Sequence, residues 1–259
     1  MLEGFYFLRP SSSEMEDFLM NNESIINILA LTFFFVLIIV TISFYFKSFP
    51  KKDFNIVRFI SRVAIFGAMA TILYVVPYFK IKIPIFPSFL EFHFDEIPAF
   101  ICGFAYGPLS GFCVLLIKTL LKLPTSITFT VGEFSDLLLS TIYVVVASFI
   151  YSKKRNLKGV LWGFLIGTVV QIVSAMFFNV YLLIPFYCKV MGYKPEELLF
   201  FMRQAIPAIK DIKWSYSTLA VLPFNAIKDV LVVIVTFIVY RSIHYFLRFD
   251  GRVGTKKKK

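Results

Sequence analysis

Lys228 is the residue whose position most needs an explanation. It lies in the run PFNAIKDV, about nine residues and roughly 13 Å inside an apolar stretch that begins near 219. A charge near the centre of a bilayer costs about 2.5–3.5 kcal/mol on insertion scales, so it needs either a partner or a function. Asn225, three residues earlier, shares its helical face, and Asp229 is adjacent. Two readings stay open: an ion pair with Asp229 or another carboxylate, or a donor to a bound ligand. Asn179 stands about six residues, or 9 Å, below the break at Pro185, a depth close to that of Asn225 and Lys228. Three polar side chains at one level can converge on a ligand, although a lone buried asparagine also serves as an inter-helix hydrogen bond. Gly132-Glu133 places a carboxylate at a helix N-terminus, where the dipole favours it, and Asp136 follows within one turn. Lys118 and Lys122 are the expected partners of these two acids.

These groups do not spell out a catalyst. The chain has no HExxH and no GxSxG, and its two histidines are His93, in a loop, and His244, near a helix end. It has no GxxxxGK[ST] either, so any transport must draw its energy from another chain. Cys102, Cys113 and Cys188 form no CxxC or Cys/His cluster, so neither a redox pair nor a zinc site is expected. A membrane enzyme built on Glu133, Asp136 and Lys118 is the rival reading. It lacks a positioned base of suitable pKa.

The elements that must position these residues follow from composition. Of 259 residues, 58% are hydrophobic and only 17% charged, with 33 phenylalanines, and the mean hydropathy is +0.78. That excludes a soluble globular domain, a disordered chain, a collagen-like fibre and a disulfide-stapled module. Apolar runs at about 25–46, 57–79, 97–106, 108–123, 133–151, 159–186 and 219–246 predict an all-α integral membrane protein with seven candidate helices. The third is short, and Gly107-Pro108 predicts a tight hairpin between it and the fourth.

Charge then orients the chain. The net charge of +11 could suggest a nucleic-acid partner, but Lys and Arg follow the membrane: five lie in 47–62, four in 152–158 and seven from Arg241 onward. By the positive-inside rule this predicts a cytoplasmic C-terminus and, with seven spans, an outer N-terminus. The acidic opening segment (Glu3, Glu14, Glu16, Asp17, Glu23) agrees and argues for a retained anchor rather than a cleaved signal peptide. Two segments on the outer side stand out. Residues 77–96 hold three prolines and a partial apolar/polar alternation, which predicts an extended or hairpin-like loop. In 186–218, Pro195-Glu196-Glu197 opens a short amphipathic helix. On the second span, Ala64, Gly67, Ala68 and Ala70 form a small-residue surface suited to internal packing or to a separate membrane subunit.

The order FLEFHFDEIPAFICGFAYGPLSGFCVLLIKTLLKL, VGEFSDLLLSTIYVV, FFNVYLLIPFY and PFNAIKDV resembles the riboflavin-specific S component of energy-coupling factor (ECF) vitamin transporters over about residues 60–245. The resemblance implies a six-helix substrate-binding core, placed at 53–247; the apolar run at 25–46 adds a transmembrane helix in an N-terminal segment at 1–52, and a basic tail follows at 248–259. It implies a plasma-membrane, non-enzymatic subunit that captures riboflavin outside and works with a transmembrane coupling subunit and two cytoplasmic ATPases. Asn179, Asn225 and Lys228 stand where the family places polar ligands to the flavin ring, and Phe89, Leu90, Phe92 and Asp95 where its loop covers the ligand. Glu133 is carried over as a further ligand residue. Ala64 and Ala68 match the AxxxA contact with the coupling subunit. The departure from the family is the extra first helix. No cofactor or metal is implied, riboflavin being cargo. FMN or another vitamin remains the alternative ligand, since a protonated Lys228 tolerates a phosphate. An isoalloxazine ring suits these residues: its polar edge carries two carbonyls and an N–H, its faces are flat and apolar, and Phe and Tyr can stack on them.

Overall fold

The computed structural model describes residues 55–248 apart from 82, 88–89, 127–129 and 193, together with Thr32, Val36, Ile39 and Ser43, which are helical. The rest of the expected first helix, Phe89 and the tail beyond 248 lie outside the described residues.

Eight helices carry the described chain: α1 (Ile56–Val75), α2 (Glu96–Tyr106), α3 (Pro108–Lys122), α4 (Val131–Lys153), α5 (Leu157–Phe178), α6 (Ile184–Met191), α7 (Pro195–Ala205) and α8 (Leu222–Arg248). Among the described residues, five segments are long and apolar enough to cross a membrane, and Glu96–Tyr106 is a shorter apolar helix. Helix starts follow local chemistry. The Asn55 side chain accepts the Arg58 N–H at 3.1 Å and the Asn156 side chain accepts that of Gly159 at 2.8 Å, each filling an otherwise unpaired donor.

Helix α2 is the hub. Nine of its residues, Glu96 to Phe104, are buried, and α1, α3, α4 and α8 pack around it. At 11 residues it is only about 16 Å long and cannot cross a 30 Å core. Its partner α3 therefore starts inside the bundle, where Arg62 of α1 lies 4.3 Å from the Tyr106 ring. Gly107, at φ 103 and ψ 164, makes the reversal that an L side chain resists. Below the charged residues the core is aromatic: Phe100 meets Tyr143 edge-on at 4.7 Å and Phe164 at 5.1 Å, and Tyr151 and Tyr240 share a hydrogen bond of 2.7 Å between α4 and α8.

Two prolines shape the other side of the bundle. Asn179–Leu183 is a widened turn between α5 and α6, and Ser217–Val221 is another, running from the short turn Trp214–Tyr216 into α8. Pro185 and Pro223 each follow two residues after such a turn. Proline has no N–H to donate to the carbonyl four residues back and its ring crowds that carbonyl, so the helix widens just before it. The two widened turns touch each other.

The 76–95 segment is hairpin-like, as the alternation predicts: Ile81 and Phe92 exchange backbone hydrogen bonds of 2.9 and 3.1 Å, and Lys80 pairs with Glu91 at 2.9 Å. The amphipathic helix expected at Pro195 is α7, with Glu196 and Glu197 in its first turn. Among the described residues there is one isolated bridge and no strand.

Gly107→Ala should lower the unfolding temperature in detergent, because a Cβ at that φ/ψ costs about 1–3 kcal/mol. Circular dichroism melts of the two proteins check this.

Candidate functional site

Five charged side chains meet where the 76–95 loop enters α2. Asp95 and Glu96, consecutive in sequence, reach in different directions. Asp95 accepts from Lys118 of α3, and Lys118 also donates to Asp136 Oδ2 of α4 at 2.7 Å. Glu96 Oε1 accepts from Lys228 of α8 at 2.7 Å and from Ser140 of α4 at 2.7 Å. Asp136 Oδ1 stands 4.0 Å from Lys228 and so links the two lysines. Lys118 and Asp95 are fully buried and Lys228 is 6% exposed. Removing one member of such a buried pair costs about 3–5 kcal/mol, because its partner is left charged in a dry interior.

His93 closes the loop side of this cluster. Its Nδ1 lies 3.0 Å from Asp95 Oδ1, where the Nδ1–H tautomer donates, and its ring meets Tyr74 edge-on at 4.9 Å. Burial lowers its pKa from 6.5 to about 4; Lys228 and Lys118 act in the same direction, and the carboxylates of Asp136 and Glu96 oppose it. Donor atoms of His93, Asp95 and Asp136 come within 4.8 Å of one another, close enough in principle for a metal ion. The Lys118 ammonium, bound to both Asp95 and Asp136, already supplies the cation that these acids require.

Beside the cluster lies an amide shelf. Asn225 Oδ1 accepts from Gln171 Nε2 at 2.9 Å, and its Nδ2 donates to Val221 O at 2.8 Å. Asn179 Oδ1 accepts from Tyr216 at 3.3 Å, and its Nδ2 donates to Ala175 O at 2.8 Å. Both acceptor carbonyls lie one turn back along the same helices, next to the widened turns that Pro185 and Pro223 produce. The shelf is roofed: Phe86 meets Phe224, the neighbour of Asn225, edge-on at 5.4 Å, and Phe92 packs on Phe94 at 4.8 Å. Leu90 packs into this roof and also against the cluster containing Tyr216 and Met202.

The site residues expected from sequence therefore fall into groups. Asn225 and Lys228 lie together on α8, Asp95 joins the ion network, and Phe92 and Leu90 lie in the roof. Asn179 is held by Tyr216 rather than by Asn225 or Lys228. Lys228 takes Glu96 as its partner, not Asp229, because adjacent helix residues point about 100° apart. Lys118 pairs with Asp136 as expected. Lys122 instead donates to Thr125 at 3.1 Å, and Glu133 accepts from Ser126 at 2.7 Å. The small residues of α1 divide: Gly67 and Ala70 are buried, a Cβ on Gly67 coming 3.0 Å from Ile117, whereas Ala64 and Ala68 face outward. Glu96, Gln171 and Ser140 were missed. Gln171 carries the signal that singled out Lys228, a polar group inside an apolar run; Glu96 is hidden because it reads as the first residue of its helix.

Charges and amides buried beneath a hairpin roof, among helices long and apolar enough to cross a membrane, define a membrane-embedded helical bundle with a polar interior. This chain belongs to the ECF transporter substrate-specific components, whose family model matches residues 58–240. It is thereby a transport subunit and not an enzyme. Riboflavin transporter RibU of Staphylococcus aureus (strain TCH60) is 28% identical over 187 residues, which is 72% of this chain and 92% of that protein. Riboflavin transporter FmnP of Bacillus subtilis (strain 168) is 24% identical over 185 residues, 70% of this chain and 90% of that protein. A solved structure of the S component of a bacterial ECF transporter matches with a TM-score of 0.59 and 25% identity, covering 74% of this chain and 99% of that one.

His93 sets a pH dependence. The unfolded chain protonates it near 6.5 and the folded protein only near 4, so the folded state binds fewer protons in between. Stability should fall as the pH drops from about 7 to 4, by up to about 3 kcal/mol. Thermal melts across this range should decline more steeply for wild type than for His93→Phe.

Proposed function

We propose that this chain is the high-affinity riboflavin-binding subunit of an ECF-type importer in the plasma membrane. Its C-terminus is cytoplasmic and its N-terminus outside, as the Lys/Arg distribution supports. The observation that carries this reading is the likeness to two riboflavin transporters over at least 90% of their own length. Site chemistry supports it independently. The ammonium of Lys228 donates to a flavin carbonyl, the amides of Asn225 and Asn179 serve the rest of the polar edge, and Phe92 and Leu90 cover the apolar face. Glu133, at the outer start of α4, is a further ligand residue, and Phe89 is one by the family resemblance. All three donors are less than a tenth exposed, so the vitamin enters when the roof formed by the 76–95 loop parts and is enclosed when it returns.

Release inward is driven by a transmembrane coupling subunit with two cytoplasmic ATPases. The outward-facing Ala64 and Ala68, on the most exposed of the five spans, are the contact with the coupling subunit. Residues 53–247 form the binding domain, with the extra helix before it and the basic tail after it.

Protein purified in detergent should show a flavin absorption band and, once stripped, saturable quenching of riboflavin fluorescence; FMN titrated in parallel tells whether a phosphate is accepted. A colourless protein that quenches neither removes the flavin assignment. Lys228→Ala should weaken riboflavin binding about tenfold or more, having lost a charged hydrogen bond, as read by the same titration. Ala64→Trp should leave binding intact and abolish uptake in cells carrying the partner subunits, as measured with radiolabelled vitamin.

A further inference from the structure

One atom of the ion network has nothing to bind. Glu96 is 1% exposed; its Oε1 takes both Lys228 and Ser140, and its Oε2 has no hydrogen-bond partner. A carboxylate oxygen left bare in a dry interior is costly, and most buried polar atoms are paired. Glu96 is also the first residue of α2. The side chain thus presents an anionic acceptor beside the Nζ of Lys228.

Resting on the flavin reading above, we propose that Glu96 is a specificity-determining residue whose free Oε2 accepts the imide N–H of the flavin ring while Lys228 donates to the neighbouring carbonyl. The imide edge runs acceptor, donor, acceptor, and a lysine with a carboxylate bound to it is the complement of the first two. The third falls to Asn225, three residues before Lys228 on the same helix face. Its Nδ2 has two hydrogens, only one of which is used on Val221 O. Lys228 has three hydrogens, with Glu96 at 2.7 Å and Asp136 at 4.0 Å as its neighbours, so it can serve Glu96 and a ligand together.

Two rivals do not meet the geometry. Asp229 also has bare carboxylate oxygens, but it projects about 100° from Lys228 around the helix. Asp136 Oδ2 is taken by Lys118, and its Oδ1 stands 4.0 Å from Lys228. The ligand class selected is a ring with an unsubstituted imide N–H; a ring alkylated at that nitrogen both loses the hydrogen bond and meets the carboxylate.

The experiment is fluorescence titration of stripped, detergent-purified full-length protein with riboflavin and with 3-methylriboflavin, which has no imide N–H. Wild type should prefer riboflavin by about tenfold or more. The preference should fall below about threefold in Glu96→Ala, which removes the acceptor and makes room for the methyl group, and should stay intermediate in Glu96→Gln, which keeps one acceptor oxygen. Equal affinity of wild type for the two flavins overturns the proposal without any variant. A preference unchanged in Glu96→Ala and Glu96→Gln, with both affinities falling in parallel, also overturns it, because that is the behaviour of a residue that only holds Lys228 in place. Wild type that binds neither flavin overturns the riboflavin reading itself, and this proposal with it.

Discussion

The structure depends on neutralising charge where water is scarce. Asp95, Glu96, Asp136, Lys118 and Lys228 come from four separate elements, and none is tolerable at its depth without the others. Because Asp95 and Glu96 are neighbours but engage different lysines, the start of α2 is pinned at once to α3 and α8. Asp136 then ties both lysines to α4. The relative placement of four helices is fixed by pairings that cannot slip by a turn without stranding a charge. The apolar packing that surrounds them tolerates such shifts far better.

The same requirement couples the roof to the site. The 76–95 loop ends at His93 and Asp95, within the network, and its hairpin rests on Phe224, next to Asn225. A ligand that draws on Lys228 therefore acts on a residue bound to Glu96, one position beyond the end of the loop. The contacts that hold the end of the loop are thus continuous with those that hold Lys228.

Backbone chemistry supplies the amide shelf. Pro185 and Pro223 break the hydrogen-bond ladder of two helices at nearly the same depth, and the widened turns that result face each other. Asn179 begins the first of these turns and Asn225 follows the second within one helical turn. A regular helix would place these amides on a different angular register. Two imino acids thus set the direction of side chains some residues away.

Much of this was legible in the sequence. Hydropathy gave the spans within the described residues, the glycine–proline pair gave the α2–α3 reversal, the alternation in 77–96 gave the hairpin, and the depth of Lys228, Asn225 and Asn179 marked them as unusual, because each follows from local periodicity and from the cost of polarity in lipid. The order of the motifs was sufficient to indicate the family. The pairing of charges was not legible: Lys228 meets Glu96 from 132 positions away, whereas the sequence left its partner open between Asp229 and another carboxylate, and nothing in a one-dimensional pattern says which of several buried carboxylates faces a given lysine. Only the tertiary structure decided that Gly67 faces inward while Ala64 faces outward, that Asn179 answers to Tyr216, and that one oxygen of Glu96 is left without a donor. The reason is physical. Depth and period are properties of a single helix, whereas partnership depends on how helices are rotated against one another, and that rotation is set by all of their contacts together.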